Sequence, residues 1–148
     1  MKILEQLRAR GEANNLQAVA DAIPYARYLN LRIDSKGDEL TTVLPFREEL
    51  IGNVNLPAIH GGVLGSMLEL TALMQLLRAT ALERLPKTID LSIDYLRSAR
   101  PQEIYGRAQV TRQGRRVANV HVELWQQTRD KPVAAAHGQF LLAPLEQS

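Results

Sequence analysis

The chain of 148 residues reads as one α+β domain, residues 1–148, in which a single long buried helix packs on one face of an antiparallel sheet. Two observations carry this reading. From Val63 to Leu77, ten of fifteen residues are Val, Leu, Met or Ala, and a helix apolar nearly all round is a buried helix. After Pro86 the pattern changes to period two, which gives a sheet needing only one apolar face.

In chain order, residues 1 to about 27 read as helical. Leu4, Leu7, Leu16, Val19, Ala20 and Ile23 are the apolar positions, and Pro24 ends the helix. YLNLRIDSKGDELTTVLPF gives two short strands around a Lys36-Gly37-Asp38 turn, stopping at Pro45. Residues 47 to 59, with Gly52, Asn53, Asn55 and Pro57, read as loop. The long helix is expected from Gly61 to about Leu85. IDLSIDYLRSA then alternates Ile89, Leu91, Ile93 and Tyr95 against Asp90, Ser92 and Asp94, as a half-buried strand does. IYGRAQVTRQGRRVANVHVELWQQ reads as a hairpin turning at Gly114, and VAAAHGQFLLAP as a last strand ended by Pro144.

Composition narrows the function. With no cysteine there is no disulfide, thiolate zinc site or thiol nucleophile, which fits a reducing compartment, and a cytoplasmic protein is expected. No secretory signal and no apolar run of membrane-spanning length is read. A net charge of +2 and 5% aromatic residues argue against a nucleic-acid partner. His60, His121 and His137 have no ligand spacing, so no metal is expected. Ser66 lacks the glycines of a nucleophile elbow, Leu64 and Leu68 standing in their place.

The stretch AIHGGVLGSMLEL, residues 58 to 70, is the one that points to chemistry. Its bland reading is a permissive Gly-Gly turn, a satisfied loop histidine and a solvent-facing glutamate. Its functional reading follows from helix geometry. Gly62 and Glu69 are two turns apart less about 20°, so they share a face, separated by roughly 10 Å along the axis. Free N–H groups at Gly61 and Gly62 would make an oxyanion hole, and Glu69 a base or nucleophile. The separation is too long for one chain to bring both to one small carbonyl. Two such helices antiparallel about a twofold axis would bring each Glu69 opposite the other chain's His-Gly-Gly, so an active site here is expected to be shared between subunits.

HGGVLGSMLELTAL closely resembles the HGG-x6-(D/E) signature of the hotdog-fold acyl-CoA thioesterases of the phenylacetate-pathway (PaaI-like) branch. IPYARYLNLRI, TIDLSIDYLRSARP, GRRVANVHVELWQ and VAAAHGQFLLAP extend the resemblance over most of the chain. It implies a long helix wrapped by a curved antiparallel sheet, paired into dimers or dimers of dimers, and hydrolysis of an acyl- or aroyl-CoA, with CoA part of the substrate and no separate cofactor. It also implies that the Gly62 amide holds the thioester oxyanion, that Glu69 of the facing chain acts as general base or nucleophile, that His60 orients the thioester or loop, and that Thr88 helps place the water. Two departures stand out. Many relatives have Asp at position 69, and the Asn they carry six residues before the His is Val54 here, flanked by Asn53 and Asn55; a one-residue loop adjustment would restore it with Asn55. Arg97, Arg100, Arg112, Arg115 and Arg116, at strand ends and the hairpin turn, form either a basic rim for CoA phosphates or solvated edge protection. Two rivals remain: a hotdog hydratase, whose second acid/base His would fall at position 55, where Asn stands, and a non-catalytic acyl-CoA-binding or assembly module.

Overall fold

The computed structural model describes residues 3–36 and 39–143. Three short helices lead in: α1 (Ile3–Ala9), α2 (Leu16–Ala22) and α3 (Pro24–Leu29). The single helix expected over residues 1 to 27 is therefore broken, for local reasons. Gly11 turns the chain at φ 72°, where a side chain would be strained. Asn15 caps α2 by accepting the Ala18 N–H at 3.1 Å. Pro24 opens α3 instead of ending a helix, since its missing N–H costs nothing in a first turn. Asn30 closes α3 in the left-handed region at φ 58°.

β1 (Arg32–Lys36) and β2 (Glu39–Leu44) pair antiparallel as expected. Gly37 and Asp38 of the turn between them, and Pro144 after the last strand, lie outside the described residues. The expected loop over residues 47 to 59 is partly regular. A 3-10 turn (Glu48–Leu50) is followed by a two-stranded hairpin, β3 (Ile51–Asn53) and β4 (Ala58–Ile59). Backbone bonds from Ile59 N–H to Ala99 O (2.9 Å) and from His60 N–H to Leu50 O (2.8 Å) anchor the chain as it turns into the long helix.

That helix, α4, runs Gly61–Ala79 and stops short of Leu85. Thr80 is already extended, Leu82 is buried, the Arg8 guanidinium donates to Leu82 O (2.6 Å), and Glu83 N–H donates to Ala143 O (2.7 Å). Tertiary partners thus draw residues 80 to 85 out of the helical path.

β5 (Lys87–Tyr95), β6 (Ile104–Gln113), β7 (Val117–Trp125) and β8 (Ala134–Leu141) complete a six-stranded antiparallel sheet ordered β1-β2-β6-β7-β8-β5. Its inner face buries Leu40, Leu44, Ile104, Val120, Leu124 and Phe140 against Leu64, Met67, Leu68, Met74 and Leu76 of α4. The helix approaches β6 closely at Gly106, where a Cβ would fall 2.6 Å from Thr42 Oγ1 and 3.0 Å from Thr71 Oγ1. Those two hydroxyls are buried and satisfied: they bond each other at 2.7 Å, and Thr71 Oγ1 donates to Met67 O at 2.7 Å. Register shifts between Thr88 and Asp90 and between Val110 and Arg112 mark where β5 and β6 bend, as bulges do. A long helix on a curved antiparallel sheet is the hotdog arrangement expected from the sequence.

β5 lies at the edge of the sheet. The expected half-burial holds for Leu91 and Ile93, which pack against the core, while Ile89 and Tyr95 are more than half exposed.

Candidate active site

His60 is the N-cap residue of α4, and its Nδ1 accepts the Gly62 N–H at 2.8 Å. This contact explains the second glycine of the motif: a Cβ on Gly62 would lie 2.9 Å from His60 Nδ1, so the imidazole folds back only over a bare backbone. It also changes the expected oxyanion hole. The Gly62 N–H points out of the helix as foreseen, but His60 holds it. With Nδ1 as acceptor, a neutral imidazole carries its proton on Nε2.

Gly62, Ser66 and Glu69 follow one another along one stripe of α4, and Ser66 Oγ donates to Gly62 O at 2.8 Å. Glu69 is half-buried and makes no hydrogen bond or ion pair among the described residues. It lines a cavity of about 390 Å³ whose other walls are largely apolar: Ile23, Tyr25, Leu70, Leu73, Leu85 and Pro86. Gly61, at the helix start, lines a different cavity of about 350 Å³ with Tyr95, Leu64, Leu96 and Arg97. The helix start and the carboxylate of one chain therefore open into two separate hollows. Tyr95 adds a bond that the sequence did not suggest, its hydroxyl donating to Gly61 O at 3.0 Å.

The other expected residues are dispersed. Asn55 is exposed in the turn between β3 and β4, where its N–H is held by Asn53 Oδ1 (3.0 Å), and no contact joins its side chain to His60 or Glu69. Thr88 is exposed on β5, opposite Phe140, and is not part of the cavity around Glu69. The basic rim is split in two. Arg97 and Arg100 line a cleft of about 880 Å³ with Lys131, Gln126 and Thr128, and this cleft meets the Gly61 cavity at Arg97 and Ser98. Arg115 and Arg116, past the far end of β6, line a cleft of about 330 Å³ with Arg84 and Lys87, which meets the Glu69 cavity at Leu85. Ten residues of extended strand put roughly 30 Å between these two ends. Arg112 is exposed on β6 and belongs to neither cleft.

No group of three or more His, Asp or Glu among the described residues could hold a metal ion, and no described helix is long and apolar enough to cross a membrane. Sequence reasoning passed over Tyr95 and Tyr25 as site residues and set Ser66 aside as a nucleophile for want of the flanking glycines. Tyr95 was legible as one more apolar position of an alternating strand. Tyr25, on α3, shares the cavity of Glu69 only through tertiary packing.

The family model of the thioesterase superfamily matches residues 56–133. This chain belongs to that superfamily. Among solved structures it is similar to a protein of Chromobacterium violaceum, with 37% identity over 99% of this chain and 100% of the other and a TM-score of 0.74. It is also similar to a phenylacetic acid degradation-related protein of Ralstonia eutropha, with 27% identity over 92% and 97% of the two chains and a TM-score of 0.73. A Bacillus halodurans protein solved with CoA shares the fold at 19% identity, over 99% and 90% of the two chains, with a TM-score of 0.71. No curated protein matches the chain.

Proposed function

We propose that this protein is a PaaI-like thioesterase that hydrolyses an acyl- or aroyl-CoA to the free acid and CoA. One observation carries the reading: α4 presents a half-buried, unpaired carboxylate to an apolar cavity and, two turns away, a glycine-bared N-terminus to another. A homodimer, alone or within a dimer of dimers, would set the Glu69 cavity of one chain against the helix start of its partner. The exposed edge strand β5 supports such pairing, because Ile89 (53%), Tyr95 (56%) and Leu96 (52%) expose apolar surface beside unpaired strand edge.

In the composite site the thioester carbonyl oxygen takes the Gly62 N–H in place of His60 Nδ1, an exchange eased by the exposure of His60. Glu69 of the facing chain takes a proton from water as the water oxygen attacks the carbonyl carbon. The tetrahedral oxyanion, held by the amide, collapses, the carbon–sulfur bond breaks, and the CoA thiolate leaves and is protonated. Attack by the carboxylate itself would give an anhydride that water then opens. Thr88 and Asn55, both exposed, are the water-placing candidates open to a second chain. The apolar wall of Ile23, Tyr25, Leu70 and Leu73 suits an acyl or aryl group, and the two arginine clefts suit CoA phosphates. The reaction is redox-neutral and needs no cofactor, and a cysteine-free chain suits the cytoplasm.

A second reading, a non-catalytic acyl-CoA-binding module, draws on the engagement of the Gly62 N–H by His60. Thiol release from short, medium, long and aryl CoA thioesters, with Glu69→Gln measured alongside, separates the two. The thioesterase reading expects turnover on part of the panel and a loss of at least roughly a hundredfold in the variant, the scale of a general base. Tight acyl-CoA binding without turnover on any thioester would favour the binding module.

A further inference from the structure

We propose that Tyr95 is a positioning residue for thioester hydrolysis, acting on the Gly62 amide through the Gly61–Gly62 peptide group; the proposal rests on the thioesterase reading above. Three groups stand in series. The Tyr95 hydroxyl donates to Gly61 O at 3.0 Å, and Gly62 N–H donates to His60 Nδ1 at 2.8 Å. Gly61 C=O and Gly62 N–H are the two ends of one planar peptide group. A donor that fixes the carbonyl therefore fixes the direction of the N–H, and by polarising the amide it makes that N–H a stronger donor, on the order of 10–30% per bond in such chains. The Tyr95 ring also lies against the helix start, since a Cβ on Gly61 would be 3.4 Å from Tyr95 Cε1 and one on Gly65 would be 3.5 Å from its hydroxyl oxygen.

The fold has little need of this hydroxyl. The turn into α4 is already held by the Ile59–Ala99, His60–Leu50 and Val63–His60 backbone bonds, and by the His60 cap. Tyr95 is 56% exposed, so its bond competes with water and adds little to stability. What it supplies is aim. The amide it polarises is the one proposed to receive the oxyanion, and it follows directly on Gly61, which lines a cavity together with Tyr95. Because Tyr95 ends the edge strand β5, the same residue ties the oxyanion donor to the strand proposed to meet a second chain.

The test is Tyr95→Phe, which keeps the ring, together with 3-fluorotyrosine at position 95, a stronger donor of nearly the same shape. Both are compared with the native protein by thiol release on its best CoA thioester and by the amide proton shift of Gly62. The expected result for Tyr95→Phe is a kcat about tenfold lower with KM within about twofold, milder than outright loss of an oxyanion donor. The Gly62 amide proton should move upfield in Tyr95→Phe and downfield with fluorotyrosine, while the melting temperature and oligomeric state hold. A kcat unchanged in Tyr95→Phe, or a Gly62 shift that ignores both substitutions, would overturn the proposal. Failure of the underlying reading looks different: native protein that turns over no thioester while the Gly62 shift still follows Tyr95 would keep the hydrogen-bond series and remove its catalytic role.

Discussion

His60 accepts the Gly62 N–H and so caps α4, and this contact sets what substitutions near the helix start should do. His60→Ala leaves the N–H to water and should cost about 1 kcal/mol of stability, read as a melting temperature lower by about 3 °C. In the same variant kcat should fall less than in Glu69→Gln, because the amide proposed to receive the oxyanion remains. A loss equal to that of Glu69→Gln would give His60 a direct part in the chemistry. The residues of this site were unevenly legible. The shared helix face of Gly62 and Glu69 was legible in their seven-residue spacing, whereas a role for His60 came only from the family resemblance. That His60 would fold over Gly62 was not legible, because a side-chain rotamer over a neighbouring amide leaves no periodic trace. Tyr95 was hidden inside a regular alternation, where an apolar ring and a working hydroxyl look alike.

At the scale of elements, the joint between α4 and the sheet depends on the hydroxyl pair of Thr42 and Thr71 and on the missing side chain of Gly106. Thr71→Val keeps the shape but leaves the buried Thr42 hydroxyl with only a 3.4 Å contact to Gly106 O, and should cost about 1–3 kcal/mol. Denaturant unfolding checks it: the midpoint should drop with the slope unchanged, whereas an unchanged midpoint would mean that the pair adds nothing. The core helix, the hairpin at Gly114 and the alternation of β7 were plain in the sequence because local pattern and tertiary burial agree there. Where they diverge, local pattern misled. Residues 80 to 85 continue the apolar texture of α4 but are pulled away by Arg8 and Ala143, which are remote in sequence. The lead-in carried its own punctuation in Gly11, Asn15 and Pro24, and an apolar spacing compatible with one helix masked it.

At the scale of the whole molecule, two cavities per chain, one holding a carboxylate and the other the start of the helix, make sense if two chains complete each other. The split arginine clefts follow the same division. The cleft of Arg97 and Arg100 meets the cavity at the helix start at Arg97 and Ser98, and the cleft of Arg115 and Arg116 meets the cavity of the carboxylate at Leu85. The most direct test mixes two inactive chains. Glu69→Gln removes the proposed base. Gly62→Pro removes the proposed oxyanion N–H in the first turn of α4, where a proline ring displaces the exposed His60 imidazole that a Cβ would crowd at 2.9 Å. If each site takes Gly62 from one chain and Glu69 from the other, a mixed dimer carries one intact site. Co-refolded in equal amounts, the two variants should then recover about a quarter of native thiol release per chain, since half the dimers are mixed and half their sites are whole. Silence in the mixture, with mixed dimers shown to have formed, would contradict the shared site and return both groups to a single chain.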